Sequence, residues 1–147
     1  MINMIQNAKD QAAALAMSAY EAAVADGTLP RAEVKTAPVE IPKDTAHGDY
    51  ASSFAMAGAK ALRKAPRQIA EVIVSHLDLA GTFFDKVEIA GPGFLNFTLG
   101  PKWYGEVLSA VEQEGAEYGA NTEGNGEKVM VEFVSANPTG PMHMGNA

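Results

Sequence analysis

The chain has 147 residues, of which 47% are hydrophobic and 20% charged, a mixture typical of a folded globular protein rather than a disordered one. It contains no cysteine, which excludes disulfides and cysteine metal sites and suits a reducing cytosol. The formal net charge of -7 argues against unspecific binding of nucleic acid over the whole surface, and no stretch has the pattern of a signal peptide or a membrane span.

The N-terminal part of the chain is predicted to contain a long helix and then an extended segment. Between residues 2 and 26, apolar residues recur at alternating spacings of three and four, and Asp26-Gly27 supplies a stop. The predicted buried stripe consists of Ile5, Ala8, Ala12, Leu15, Ala19 and Ala22. Residues 33–42 contain prolines and β-branched residues, which predicts an edge strand because Pro38 cannot donate a hydrogen bond to a neighbouring strand.

A loop and two short helices are predicted next. The stretch DTAHGDYASS, residues 44–53, has the composition of a loop with Gly48 at positive φ. Helices are predicted near residues 52–64 and 66–77, the second with proline at its first helical position. The end of the first helix and the start of the second carry a basic cluster without acids, made of Lys60, Arg63, Lys64 and Arg67. Such a cluster either contacts phosphate or is a solvated helix face.

Residues 85–99 are predicted to form a β-hairpin around the turn GPG at residues 91–93. Alternation along FLNFTL separates Leu95, Phe97 and Leu99 on one face from Phe94, Asn96 and Thr98 on the other. If the leucine face is buried, an aromatic ring and an amide stand side by side toward solvent, where the ring can stack on an unpaired base and the amide can read its edge. The alternative is an ordinary packed hairpin, because most phenylalanines in strands are buried.

The last part of the chain changes in character. A further amphipathic helix is predicted over residues 102–114, and a polar, glycine-rich linker follows it. The apolar positions of this helix are Trp103, Val107, Leu108 and Val111. The run KVMVEFV is nearly continuous in apolar residues, as strands buried in parallel sheets are. The predicted organisation is a domain at 1–115, a linker at 116–127 and the start of a second domain at 128–147.

Polar residues in and after the apolar run outline a nucleotide site. A buried strand, a Gly/Pro loop and the start of a helix form the first unit of a doubly wound nucleotide-binding fold. Gly145 leaves room for a base or ribose, and His143 and Asn146 can donate hydrogen bonds to phosphate. Glu132 either faces a cationic ligand, with Asn137 near it, or lies on a solvated strand edge. The alternative for the stretch that follows the strand is a surface turn with an exposed histidine.

Three stretches of the chain resemble bacterial arginyl-tRNA synthetase. VEFVSANPTGPMHMGNA resembles the start of the catalytic domain, whereas HGDYASSFAMAGAKALRKAPRQIAE and VEIAGPGFLNFTL resemble the additional N-terminal domain. The stretches occur in the family's order and together with their spacing cover most of the chain. The resemblance implies an α+β fold, with helices packed on the antiparallel sheet of a tRNA-binding domain, followed by the first strand of a Rossmann-like catalytic domain.

The resemblance also implies a class I arginine–tRNA ligase, a cytoplasmic aminoacyl-tRNA synthetase that activates arginine with ATP and Mg and transfers it to tRNA(Arg). His143 and Gly145 match the first histidine and the glycine of the family's His-x-Gly-His signature, which binds ATP and stabilises charge. Asn146 stands at the second histidine, where an amide can donate a hydrogen bond but cannot carry a proton's charge. The positions at the mouth of the arginine pocket are matched by Glu132, Ser135 and Asn137.

For the N-terminal domain, the resemblance assigns Phe94 and Asn96 to a strand that reads a base of the tRNA D-loop, and we expect Lys60, Lys64 and Arg67 to contact tRNA. Because the second ATP-binding signature is missing, we expect binding of the tRNA elbow only, without aminoacylation, bound ATP or a metal site. Residues 128–134 are expected to be disordered, to add to a sheet edge or to form a dimer with a second copy. The alternatives are a free-standing RNA-binding module and another class I nucleotidyl transferase, which HGDY and AGPGFLNF disfavour.

Overall fold

A computed structural model describes residues 2–133 and residue 140. The chain divides into two compact units, one of which is Ile2–Tyr118 and the other of which contains the residues from Gly119 onward. This division lies inside the predicted linker. In the described part of the chain, no helix is both long and apolar enough to cross a membrane.

The unit Ile2–Tyr118 has an α+β fold, as predicted. Its four helices are α1 (Met4–Ala25), α2 (Phe54–Leu62), α3 (Pro66–Ser75) and α4 (Pro101–Glu114). Its four strands are β1 (Val39–Glu40), β2 (Tyr50–Ser52), β3 (Phe84–Ala90) and β4 (Phe94–Leu99). Single turns of 3-10 helix occur at Thr45–His47 and Gly115–Glu117. The strands form one antiparallel sheet in the order β1-β2-β4-β3, so the predicted edge strand and the predicted hairpin are both confirmed.

The long N-terminal helix forms as predicted, but its buried stripe is rotated. The buried residues are Met4, Ala8, Ala12, Ala16, Ala19, Tyr20 and Ala23, whereas Ala22 is exposed and Ile5 is 51% exposed. Small side chains on this stripe let α1 pack closely on the rest of the core. The rotation brings the Tyr20 hydroxyl under the segment that follows the helix, where it lies near the carbonyl oxygens of Pro30 and Ala32.

The Tyr20 hydroxyl is hydrogen-bonded to three backbone groups of the segment that follows α1, and its removal is expected to destabilise the fold. It accepts a hydrogen bond from the backbone N–H of Ala32 at 2.8 Å and donates toward the carbonyl oxygens of Pro30 and Ala32. The substitution Tyr20→Phe leaves these groups without a partner, which costs about 1–3 kcal/mol of unfolding free energy. Urea unfolding measures this loss, and Tyr104→Phe, at a side chain that is 52% exposed, is the control with little expected effect. Equal stability of the two variants would contradict the assignment.

The middle of the sheet contains a strand that the composition did not predict. Residues 44–53 were predicted to be a loop, but Tyr50–Ser52 pairs with β1 on one side and β4 on the other. Three residues are too few to show an alternation, and the strand is held by its long-range pairing with β4. The prediction of positive φ at Gly48 is confirmed, with φ at 79°.

Helix α4 forms as predicted, but only part of its apolar face is covered. The Trp103 indole N–H donates to the carbonyl oxygen of Met4 at 3.1 Å, and Ala110 is buried. Leu108 and Val111, predicted to be buried, are 66% and 38% exposed. The helix therefore contacts the core at Trp103, a predicted position, and at Ala110, which the predicted apolar stripe did not include.

No strand is found at residues 128–133, although the run KVMVEFV was predicted to be one. An apolar run has no strand conformation by itself, because a strand depends on hydrogen bonds to a neighbour. Val129, Met130 and Phe133 are 73%, 96% and 91% exposed. The predicted first strand of a Rossmann-like domain is therefore not visible in the described residues.

The ends of α1 and α3 are joined by an ion pair. His76 Nε2 lies 2.7 Å from Asp26 Oδ2, and His76 Nδ1 lies 2.8 Å from the carbonyl oxygen of Val72. Both oxygens can only accept hydrogen bonds, so this geometry favours the protonated ring, in which both nitrogens carry hydrogen. The hydrogen bond to Asp26 raises the pKa of His76 above 6.5, and the same bond lowers the pKa of Asp26 from 3.8 to about 2.

This pair makes stability depend on pH in a defined window. The contribution of Asp26 is present above pH 3.8 and is lost as the pH falls toward 2, whereas that of His76 is present below pH 6.5 and is lost as the pH rises through its raised pKa. We expect Asp26→Asn to lower the melting temperature most between pH 3.8 and pH 6.5, where both contributions are present. Asp78→Asn is the matched control. Asp26 and Asp78 each accept a hydrogen bond from the backbone N–H two residues later, both at 2.9 Å, but Asp78 has no ion pair with a histidine among the described residues. A pH-independent difference would contradict the ion pair.

Candidate nucleic-acid interface

One face of the sheet carries the aromatic–amide pair that the strand alternation predicts. Glu40 lies opposite Ala51, Ala51 opposite Asn96, and Asn96 opposite Glu88, so these residues form one row across all four strands. Cross-strand partners point to the same face of a sheet. Phe94 is two residues from Asn96 on β4 and shares this face, whereas Leu95 and Phe97 are fully buried on the other. The predicted assignment of faces is confirmed.

A groove of about 540 Å3 lies on this face, between the strands and the loop that follows β1. It is lined by Glu40, Ile41, Pro42, Lys43, Asp44, His47, Ala51, Ala90, Gly91, Pro92, Phe94 and Asn96. Its walls are mostly apolar, and its polar groups lie on the floor and along the loop. This is the arrangement expected of a pocket for a small, flat, partly polar group.

Asn96 lies in this groove rather than on an open surface. The sequence predicts that it points to solvent beside Phe94, but Asn96 is only 7% exposed as a residue, whereas Phe94 is 38% exposed. The prediction of solvent exposure is wrong for Asn96, because residues 41–47 form one wall of the groove around it. No hydrogen bond of the Asn96 amide is found among the described residues. The amide of this largely buried residue thus keeps its donors and its acceptor for a ligand that enters the groove.

The turn GPG fixes the end of the groove against α3. Gly93 has φ at 139°, and a Cβ atom there would lie 2.9 Å from the backbone carbonyl carbon and oxygen of Pro66. Arg67 Nη1 donates to the carbonyl oxygen of Gly91 at 3.3 Å, and Arg67 Nε lies 3.5 Å from Glu71 Oε1. One basic residue of the predicted cluster is therefore fastened at the rim of the groove.

The other basic residues of the cluster do not line the groove. Lys60 and Arg63 line a separate concavity beside α2, and Lys64 is exposed just after α2 ends. The sequence analysis predicts that Lys60, Lys64 and Arg67 all contact tRNA. In the structure, only Arg67 of these three lies at the rim of the groove beside Phe94 and Asn96. Their contacts with tRNA remain predictions.

The loop after β1 contains groove residues that the sequence did not single out. Lys43, Asp44 and His47 come to the groove because the 3-10 turn Thr45–His47 folds the loop back, and the Asp44 carboxylate caps that turn by accepting the backbone N–H of Ala46 at 2.9 Å. The stretch DTAH carries a signal for this cap, because aspartate often accepts a backbone N–H two residues on. It carries no local signal for the distant strand β4.

The predicted nucleotide and arginine sites are not described by the structure. Ser135, Asn137, His143, Gly145 and Asn146 lie outside the described residues. Glu132 is described and is exposed, without a strand around it. Within residues 2–133 and 140, no group of three or more histidine, aspartate or glutamate side chains could hold a metal ion.

A larger groove, of about 830 Å3, lies between α1 and residues 36–39. It is lined by Gln6, Lys9, Asp10, Ala13, Ala14, Met17, Thr36, Ala37, Pro38 and Val39. The Gln6 amide N–H already donates to Asp10 Oδ1 at 2.7 Å. No aromatic ring lines this groove, so it offers no surface on which a base can stack.

Comparison with known proteins gives a consistent set of relatives. The family model "Arginyl tRNA synthetase N terminal domain" matches residues 5–99. The arginine–tRNA ligases of Acetivibrio thermocellus and Caldanaerobacter subterraneus are 48% and 47% identical over 147 residues, which is 100% of this chain and 26% of each relative. The chain thus spans about a quarter of the length of these curated relatives.

A solved structure has a related fold. The crystal structure of arginyl-tRNA synthetase from Plasmodium falciparum superimposes with a TM-score of 0.51 and 16% sequence identity. The match covers 68% of this chain and 17% of that one. At this level of identity the likeness concerns the fold alone.

Proposed function

Because the chain belongs to the arginyl-tRNA synthetase family by its match to the family's N-terminal domain, we propose that its folded unit binds tRNA and receives one unpaired base in the groove beside Phe94 and Asn96. The observation that carries this proposal is the pairing of a half-exposed aromatic ring with a largely buried amide that has no partner among the described residues. A D-loop base of tRNA(Arg) is the proposed ligand.

The groove is better suited to a base than to a phosphate. The Phe94 ring offers a stacking surface, and stacking of a base on an aromatic side chain contributes about 1–3 kcal/mol. Glu40 and Asp44 place carboxylates in the groove, where they repel phosphate but can accept hydrogen bonds from an amino group of a base. Lys43 and Arg67, at the loop and the GPG turn, are placed to contact the backbone on either side.

We propose for the whole protein the activity that the relatives' names state, ligation of arginine to tRNA, with ATP as the energy source and a cytoplasmic location. In that reaction His143, Gly145 and Asn146 would bind ATP, and Glu132, Ser135 and Asn137 would bind arginine. The groove residues take no part in the chemistry, since their role is to hold the tRNA. A dimer through residues 128–134 also stays a proposal, supported by the exposure of Val129 and Phe133.

Equilibrium binding of tRNA(Arg) to the 147-residue chain tests the proposed role of the groove. We expect saturable binding that Phe94→Ala weakens by about tenfold, because it removes the stacking surface. Leu108→Ala is the matched control, since Leu108 is an apolar side chain that is 66% exposed and lies outside the groove. Absence of binding, or equal weakening by both variants, would contradict the proposal.

A further inference from the structure

Three cationic side chains meet in the concavity beside α2. It has a volume of about 550 Å3 and lies between α2 and the segment that leads into β1. It is lined by Glu33, Lys35, Ala57, Lys60, Ala61 and Arg63. The helix approaches the segment closely because Gly58 is small: a Cβ atom there would lie 3.3 Å from Val34 Cγ1. This packing places Lys35 beside basic residues that are 25 or more positions away in the chain.

The cations of this concavity are not neutralised by the protein. Among the described residues, no ion pair is found for Lys35, Lys60 or Arg63, whereas Arg31 and Lys86 pair with glutamates at 3.2 and 2.8 Å. The concavity contains a single acid, Glu33, in a chain whose net charge is -7. The three cations outnumber the one carboxylate, so the lining carries a net positive charge, and an anion placed among the cations lowers their mutual repulsion.

The backbone at Arg63 is held in a conformation that is costly for a side chain. Arg63 ends α2 in the left-handed region, with φ at 52°. Glycine or asparagine is usual at such a helix end, because other residues lose about 1 kcal/mol or more there. An arginine at this position directs a permanent cation to the concavity at the expense of stability, as is common at functional sites.

We propose that this concavity binds phosphate groups of the RNA backbone, next to the nucleotide whose base enters the groove; this inference rests on the proposed function. The two sites are joined by the corner between α2 and α3: Arg63 lines the concavity, and Arg67, four residues later, is bound to Gly91 at the groove rim. The bound strand therefore runs from the GPG turn along this corner to Lys60 and Lys35. A cationic lining repels metal ions and favours anions, and the anion that accompanies a base bound in the neighbouring groove is the RNA phosphodiester.

The dependence of tRNA(Arg) binding on salt concentration tests the inference. Each phosphate contact that is lost reduces the slope of log K against log salt by about one. We expect this reduction for Lys35→Gln, Lys60→Gln and Arg63→Gln, and an additive reduction in the triple variant. Lys9→Gln is the matched control, because Lys9 lies on α1 and lines the groove between α1 and residues 36–39, to which no role in binding is assigned. An unchanged slope in the triple variant, with binding still weakened by Phe94→Ala, overturns the inference and leaves the proposed function standing.

Two further probes separate the inference from the proposed function. If the chain does not bind tRNA(Arg), a titration with short oligouridylate followed by amide NMR decides for the concavity alone: saturable shifts at residues 35, 60 and 63 support it, and their absence overturns it. Inorganic phosphate is the second probe. If inorganic phosphate binds at residues 35, 60 and 63 more tightly than oligouridylate does at the same ionic strength, the concavity is a site for free phosphate and the backbone assignment is wrong; weaker binding of phosphate than of the oligonucleotide supports the assignment.

Discussion

Replacing Asn96 with leucine is expected to weaken tRNA binding by about tenfold or more while leaving the fold at least as stable as before. Its amide has no hydrogen-bond partner among the described residues, so the folded state loses no internal bond. Burying an unpartnered amide is unfavourable, and an apolar side chain of similar size removes this cost. The expected gain is up to about 1 kcal/mol, because the groove still admits water to the amide.

The opposite signs of these two effects separate a binding residue from a structural one. Binding is measured by titration with tRNA(Arg), and the free energy of unfolding by urea denaturation of the same protein. Thr98→Val is the control, since Thr98 lies two residues further on the same face of β4 and outside the groove. If Asn96→Leu lowered the free energy of unfolding and left the affinity for tRNA(Arg) unchanged, Asn96 would be a structural residue of the sheet and not a contact to RNA.

The substitution Gly48→Ala is expected to cost about 3 kcal/mol or more of unfolding free energy. Gly48 has φ at 79° and ψ at -167°, a region that residues with a side chain essentially do not occupy. A Cβ atom there would lie 2.8 Å from the carbonyl oxygen of Phe97, which is backbone and cannot turn away. That carbonyl accepts the backbone N–H of Asp49 at 2.9 Å, and the Asp49 carboxylate accepts the N–H of Leu99 at 2.8 Å.

The same substitution also displaces the groove loop, because His47 directly precedes Gly48 and lines the groove. We therefore expect loss of stability and weaker tRNA binding together. Gly105→Ala is the control: a Cβ at Gly105 meets nothing within 4 Å, and its position inside α4 predicts a gain of about 0.5–1 kcal/mol. Thermal unfolding of the two variants in parallel measures the contrast, and a similar small effect in both would contradict the account of Gly48.

The features that follow from short-range pattern were predictable from the sequence. The β3–β4 hairpin follows from alternation on both sides of GPG, and the same alternation assigns Leu95 to the core and Phe94 to the open face. Proline at the start of α3 and the edge position of β1 follow from the chemistry of proline. In each case the information lies within a few residues of the feature.

The features that depend on distant contacts were not predictable. Strand β2 depends on the pairing of Tyr50 with Phe97, 47 residues later. The three residues of the strand contain no pattern from which this pairing could be predicted. The buried stripe of α1 includes Tyr20, whose hydroxyl is hydrogen-bonded to the segment after the helix, a contact that the spacing of apolar residues does not reveal. The low exposure of Asn96 depends on the loop 41–47, whose path is set by the anchor at Asp49.

An amide NMR titration of the 147-residue chain with tRNA(Arg) shows whether the open sheet face binds an RNA base in its groove. We expect saturable shifts at residues 40–47 and 90–96, with smaller shifts along residues 60–67. The exposed side of α4, around Leu108, should not respond. Saturable shifts confined to α4, or no shifts at all at the groove, would contradict the claim.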